Sequence, residues 1–186
     1  MGQIFRPSAN VYAKVGALSL FYLIILVLLA LAVFDRSNLI RRINVPRSQP
    51  VPFTHQMHAG VLGIDCIYCH SSVEKSKFAG MPSLDTCMAC HNEIQGTFWL
   101  QWLTDRFEQK EPVQWTRVTD FPDFVYFNHS IHVKGRGLDC SECHGVVEEM
   151  TVMWKAKSLT MGYCLDTCHR TTWNIEQLTN CSVCHR

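Results

Sequence analysis

The chain has 186 residues, with 17 Lys and Arg against 16 Asp and Glu. That near-neutral balance, without a basic stripe carrying interleaved aromatics, argues against a nucleic-acid-binding surface. Ten cysteines and nine histidines stand out, while G-x-S-x-G, H-E-x-x-H and phosphate-cradling glycine loops are absent from the sequence.

In chain order, the first predicted element is a membrane anchor. Val15 to Phe34 reads VGALSLFYLIILVLLALAVF, 20 residues without a charge. At about 1.5 Å per residue it crosses a hydrocarbon core of about 30 Å, which predicts one N-terminal transmembrane helix. The alternative is a signal peptide cleaved near Ala30-Leu31-Ala32, but the apolar run exceeds the roughly 7–15 residues of a signal core. Residues 1–36 are thus expected to form a cytoplasmic N-terminus and an uncleaved anchor. Pro46, Pro50 and Pro52 predict an extended, non-helical linker over 37–52.

A histidine word follows, Phe53-Thr-His55-Gln-Met-His58, and then two motifs, Cys66-Ile-Tyr-Cys69-His70 and Cys87-Met-Ala-Cys90-His91. Glu93 to Gln109 carries Ile94, Phe98 and Trp102, with Leu103 and Phe107 less regularly, near helical spacing. This predicts a connecting helix packed on its surroundings; the alternative is a membrane-interface or partner surface, which Trp99 and Trp102 would suit. Pro112 and Pro122 bound a loop, and Trp115 and Tyr126 are expected to cover cofactor edges. A second word, Phe127-Asn-His129-Ser-Ile-His132, precedes Cys140-Ser-Glu-Cys143-His144, Cys164-Leu-Asp-Thr-Cys168-His169 and Cys181-Ser-Val-Cys184-His185.

The five cysteine motifs use every cysteine of the chain. In C-x-x-C-H, two thiols held on one turn add across the two vinyl groups of a haem, and the adjacent histidine becomes the proximal iron ligand. Structural zinc is the rival reading, since Cys66, Cys69, Cys87 and Cys90 alone would suit a zinc ribbon. A ribbon does not need a histidine after every second cysteine. A disulfide framework fits less well, because these thiols must stay reduced until haem is added. The expectation is five covalently bound haem c groups. The fourth motif has one extra residue between its cysteines; its alternatives are attachment through one cysteine or no haem.

The histidines give a ligand balance. His70, His91, His144, His169 and His185 are the expected proximal ligands, and His55, His58, His129 and His132 the expected distal ones. Residues three apart on a helical turn cannot both reach one iron, so each word is expected to serve two haems. Four distal histidines leave one haem without such a partner. Methionine is the expected substitute, because a thioether is a common axial ligand. Met150 and Met161 are favoured, with Met153 in the same gap and Met81 and Met88 near the second motif. For each of them packing is the rival reading.

Residues 53–74 and 127–148 align at a constant offset of 74. The phenylalanine, both histidines, Gly63/Gly137, Asp65/Asp139, both cysteines and the proximal histidine all match. This predicts a two-haem module with the connecting helix over 53–126 and a three-haem module over 127–186. Residues 52–186 number about 135, too few for a sizeable protein-only core around five haems. The expected fold is mostly irregular with short α-helices around a haem core. Arg36, Arg41, Arg42 and Arg47 after the anchor, against Arg6 and Lys14 before it, would by the charge rule place the following region in the cytoplasm. Haem attachment to five motifs argues instead for the far side of the bacterial inner membrane, a single-pass protein with its haem domain in the periplasm.

The repeated F-x-H-x-x-H…C-x-x-C-H words resemble the class III multihaem cytochromes, the c3 and c7 group. With Ile4-Phe-Arg-Pro-Ser-Ala-Asn10, Pro122 to Val147 and Ser158 to Arg170, the chain is similar over nearly its whole length to the pentahaem cytochrome c subunits of bacterial alternative complex III. The three residues between Cys164 and Cys168, where two are expected, depart from that pattern. The resemblance implies an electron-transfer subunit of a quinol:acceptor oxidoreductase, without a catalytic site of its own. Its implied partners are an iron–sulfur subunit, quinol-binding membrane subunits and a monohaem cytochrome c. The competing readings are a singly anchored quinol dehydrogenase cytochrome and a small multihaem reductase with one open haem.

Overall fold

A computed structural model of the chain describes Arg6, residues 8–94 and residues 96–185. Ile4, Phe5 and Pro7 of the N-terminal word, and Gln95 of the expected connecting helix, lie outside the described residues. The chain divides into two units, Met1–Arg42 and Ile43–Arg186.

The first unit is dominated by α1, Ala9–Asp35, whose 27 residues extend about 40 Å. It is long and apolar enough to cross a membrane, and none of its side chains is buried. The carbonyls left over at its C-terminus are met by arginines: Arg36 Nη1 donates to Ala32 O at 3.3 Å and Arg41 Nε to Asp35 O at 3.4 Å. A further turn, α2 (Asn38–Arg41), starts at Ser37, whose Oγ accepts from Ile40 N, and stops at Arg42 with φ 52°. The expected extended linker is therefore helical over its first turn. Ser37 supplies an N-cap there, and the first proline comes only at 46.

The second unit opens with the rest of the linker, which has no regular structure over 45–49. It is held by other segments of its unit. Asn44 N donates to Lys155 O at 2.9 Å and Arg47 N to Met153 O at 3.0 Å, while the Gln49 amide and the Thr116 backbone exchange two hydrogen bonds.

Short helices carry the motifs: α3 (Cys66–Cys69), α4 (Leu84–His91), α5 (Phe98–Glu108), α6 (His129–Val133), α7 (Cys140–His144), α8 (Met161–Thr167), α9 (Ile175–Leu178) and α10 (Cys181–Cys184). A π-helical turn covers Gln56–Val61, and 3-10 turns cover Val147–Glu149 and His169–Thr171. Among the described residues there is no strand, only the isolated bridges Ile43–Lys155 and Val125–His185. The connecting helix begins at Phe98, later than Glu93. Gly96 takes φ +116° and Thr97 Oγ1 caps the start by accepting from Leu100 N at 3.2 Å. Of its expected apolar stripe only Leu103 is buried, whereas Ile94 and Phe98 are exposed.

Five apolar side chains are buried among the described residues: Val51, Val73, Met88, Leu103 and Met150. So thin an apolar core is small for a unit of this length. Order comes mainly from local hydrogen bonds, and these repeat with the duplication. Ile64 N donates to His58 O at 3.0 Å and Leu138 N to His132 O at 3.1 Å, across Gly63 and Gly137, which both need a left-handed φ (63° and 66°). The two copies also hold each other reciprocally. Gln56 N donates to Met150 O, and Ser130 N to Ser76 O, each at 3.1 Å. Residues 56 and 130, and 76 and 150, differ by the same 74, so the two bonds are equivalent under a local pseudo-two-fold.

Candidate functional site: paired histidines and cysteine motifs

Each C-x-x-C-H turn is started by its own sequence. Asp65 Oδ1 accepts from Ile67 N, Asp139 Oδ1 from Ser141 N and Asn180 Oδ1 from Ser182 N, at 2.8–3.0 Å. The residue before the first cysteine is thus the N-cap in these three motifs. Hydrogen bonding to the Ser141 backbone, then to its side chain, holds the Asp139 carboxyl below its ordinary value. In the first and fifth motifs the histidine N–H closes the turn on the first cysteine, His70 N to Cys66 O and His185 N to Cys181 O, both at 2.9 Å.

The fourth motif accommodates its extra residue at one point. Cys168 N, not the histidine, donates to Cys164 O, and the helix breaks there with Cys168 at φ −125°, ψ −62°. His169 then opens a 3-10 turn, and its ring still faces a histidine of the second word, as follows.

The histidines meet two by two. His58 and His91 have ring centroids 6.1 Å apart, His129 and His144 6.5 Å, and His132 and His169 6.2 Å. Two imidazoles bound on opposite sides of one metal ion, each through a nitrogen at about 2.0–2.1 Å, place their centroids about 6 Å apart. These three pairs therefore fit the axial positions of a haem iron. His55 has His70 and His58 as neighbours: burial first, then those two histidines, lowers its pKa to about 4. The two histidines of each word thus neighbour histidines of two different motifs.

Backbone carbonyls fix the rings. Nδ1 of His58 bonds Thr54 O at 2.9 Å, His70 Gly80 O at 2.7 Å, His129 Lys77 O at 2.8 Å and His132 Asn128 O at 2.7 Å. His169 bonds Leu178 O at 3.0 Å and His185 Phe124 O at 3.2 Å in the same way. A carbonyl can only accept, so Nδ1 carries the proton and Nε2 keeps its lone pair, the tautomer a metal ligand needs. His91 Nδ1 is buried without a hydrogen-bond partner among the described residues. Burial lowers the pKa of His91, His132 and His144.

Phe53 and Phe127 have a role that sequence matching alone left unassigned. Phe53 stands edge-on to His55 (4.9 Å, 90°) and stacks on His58 (4.5 Å, 27°). Phe127 repeats this with His129 (4.8 Å, 90°) and His132 (4.4 Å, 25°). Each phenylalanine wedges its two histidines apart so that they diverge. Trp115 packs on Phe53 at 6.0 Å, and the Cys87 thiol borders a cavity of about 250 Å³ walled by Met81, Leu84, Pro112 and Trp115.

The cysteines lie along the same surfaces. Burial raises the thiol pKa of Cys69, Cys87, Cys143 and Cys164, and burial followed by the nearby Cys66 pushes Cys140 up to about 11. Cys66, Cys90, Cys168 and Cys181 are exposed, and Cys184 is half-buried. Of the methionines singled out, Met150 is 1% exposed, beside Gly145, while Met161 is 65% exposed at the start of α8. Met88 is buried, Met81 is exposed and Met153 is half-buried.

Comparison with known proteins agrees with this chemistry. Residues 125–186 match the family model of cytochrome c7 and related cytochrome c, and residues 35–99 match that of the class III cytochrome C family. The menaquinone reductase multiheme cytochrome c subunit of Nitratidesulfovibrio vulgaris is 33% identical over 101 residues. That stretch is 53% of this chain and 46% of the relative, so the match spans less than half of the relative's length. Both parts of the motif-bearing region are thus similar to multihaem electron-transport cytochromes c, which hold their haem c covalently.

Proposed function

We propose that the chain is a membrane-anchored pentahaem electron-transfer subunit of a quinol:acceptor oxidoreductase of the alternative complex III kind. The observation that carries this reading is the set of histidine pairs at 6.1–6.5 Å. Haem supplies a one-electron iron couple when it is bound. The chain's residues attach it through Cys66/Cys69, Cys87/Cys90, Cys140/Cys143, Cys164/Cys168 and Cys181/Cys184. His70, His91, His144, His169 and His185 hold one axial side, and His55, His58, His129 and His132 fill four of the opposite sides. With both axial positions occupied by protein, such sites carry electrons rather than bind substrate. Met161, exposed on α8, is favoured over the buried Met150 as the fifth distal ligand, because Met150 is already packed against protein.

In this reading α1 is an uncleaved anchor, and the motif-bearing unit lies in the periplasm. An iron–sulfur subunit, quinol-binding membrane subunits and a monohaem cytochrome c are the partners. Purification of the protein with its complex, followed by quinol addition, tests it: rapid haem reduction in the complex and slow reduction of the isolated chain are expected. Fast quinol turnover by the isolated chain would contradict it in favour of a quinol dehydrogenase cytochrome.

The named relative favours a second reading, in which the same path runs toward the membrane and serves a menaquinone reductase. The two are separated by direction. Menaquinone reduction by the complex from a reduced periplasmic cytochrome supports the second, and quinol-driven reduction of such a cytochrome supports the first.

A further inference from the structure

We infer that the five motifs follow one unbranched spatial order, second–first–third–fourth–fifth, so that the second and fifth motifs, and not the first and fifth, are the ends of the path. The inference rests on the five-haem reading above.

Four links define the order. The first word joins the second motif to the first, because Phe53 touches both of its histidines and His58 faces His91 while His55 lies by His70. The pseudo-two-fold joins the first motif to the third. Besides the reciprocal pair from Gln56 and Ser130, His129 donates twice to Lys77 O, from its backbone N and from Nδ1. A Cβ on Gly60 would lie 2.4 Å from Glu148 O, so the two copies approach there to backbone contact. Cys140 also lies near Cys66. The second word joins the third motif to the fourth through His129–His144 and His132–His169, with Tyr163 Oη donating to Glu142 O at 3.0 Å. The fourth joins the fifth through His169 Nδ1 and Leu178 O, two residues before the Asn180 cap, with Cys164 near Cys184.

Path order therefore differs from chain order. The first motif, nearest α1 in sequence, is interior to the path, and the second, beside the 250 Å³ cavity, is an end. With haem held at each motif, a link would carry one electron between neighbouring irons, with no bond made or broken. The order holds for flow in either direction.

The test is the iron positions in the full-length, haem-loaded protein, located by anomalous scattering at the iron edge and assigned by their attached cysteines. Haem number is counted separately by intact mass. The expected result is that the nearest neighbour of the second-motif iron is the first-motif iron, that the first and third are neighbours, and that the fifth iron lies nearest the fourth. A second-motif iron nearest the third, or a fifth-motif iron nearest the first or third, would overturn the order. A count below five overturns the five-haem reading instead, and the order is then decided by the neighbours of the irons that remain.

Discussion

The copies 53–74 and 127–148 hold their histidines almost identically and contact their surroundings differently. Between the copies the corresponding Phe–His angles agree to a few degrees and the corresponding Phe–His distances to about 0.1 Å. Outside that frame they diverge. The first word continues into a π-helical turn whose Gly60 abuts Glu148 O, whereas the second continues into α6, just after which the equivalent Lys134 is exposed. His129 bonds Lys77 O, just beyond the first copy, while the equivalent His58 and His132 both keep the carbonyl four residues earlier. The difference teaches that the ligand frame is set by the word itself, and the neighbours decide only how two frames are joined.

The strongest way to break that equivalence is to remove one proposed distal ligand from each copy. His58→Ala and His132→Ala should each turn about a fifth of the low-spin haem high-spin, at the second and fourth motifs respectively. Near-infrared magnetic circular dichroism reads this change, and loss at a shared motif would contradict the paired assignment.

Phe53→Ala and Phe127→Ala come next. Each removes a wedge from a half-buried site and should destabilise the motif-bearing unit by about 1–3 kcal/mol in chemical denaturation. The two values should agree to about 0.5 kcal/mol; a larger gap would mean that the frames are not equivalent.

Gly60→Ala and Lys134→Ala probe the join between copies. The added methyl at Gly60 must displace backbone, at a cost of about 1–3 kcal/mol, whereas Lys134→Ala should stay within about 0.5 kcal/mol. Equal small effects would remove the case for a close approach at Glu148.

The caps give the smallest effect. Asp139→Ala should lower the melting temperature by less than Gly60→Ala, and Asp139→Asn should keep the cap. The Asp139 carboxyl has a lowered folded pKa, so its contribution is complete above the ordinary carboxylate range and is lost as pH falls through the folded value. The asparagine variant should lose that pH dependence, which melting curves at several pH values will show.

Which residues gather at the candidate site was legible in the sequence, because the proposed haem attachment and ligation demand fixed types at fixed spacing. Cys66 to His70 and Phe53 to His58 could be read this way, and so could the division of each word between two motifs. The span of α1 was legible from length and apolarity. The late start of α5 was not, because helical spacing in Ile94 to Phe107 says nothing of the positive φ at Gly96. The turn at Asn38–Arg41 was masked by prolines that lie further on. The reciprocal bonds of Gln56 and Ser130 could not be read from either copy alone, since each runs from one copy to the other. The break at Cys168 likewise needed coordinates: a one-residue insertion can be absorbed anywhere in the loop, and here it falls between the second cysteine and the helix.

The account rests most heavily on the pairing of His55, His58, His129 and His132 with four proximal histidines. Low-temperature magnetic circular dichroism of the oxidised, haem-loaded protein tests it most directly. Four bis-histidine low-spin haems and one histidine–methionine haem are the predicted result. More than one high-spin haem open to an added ligand would contradict it.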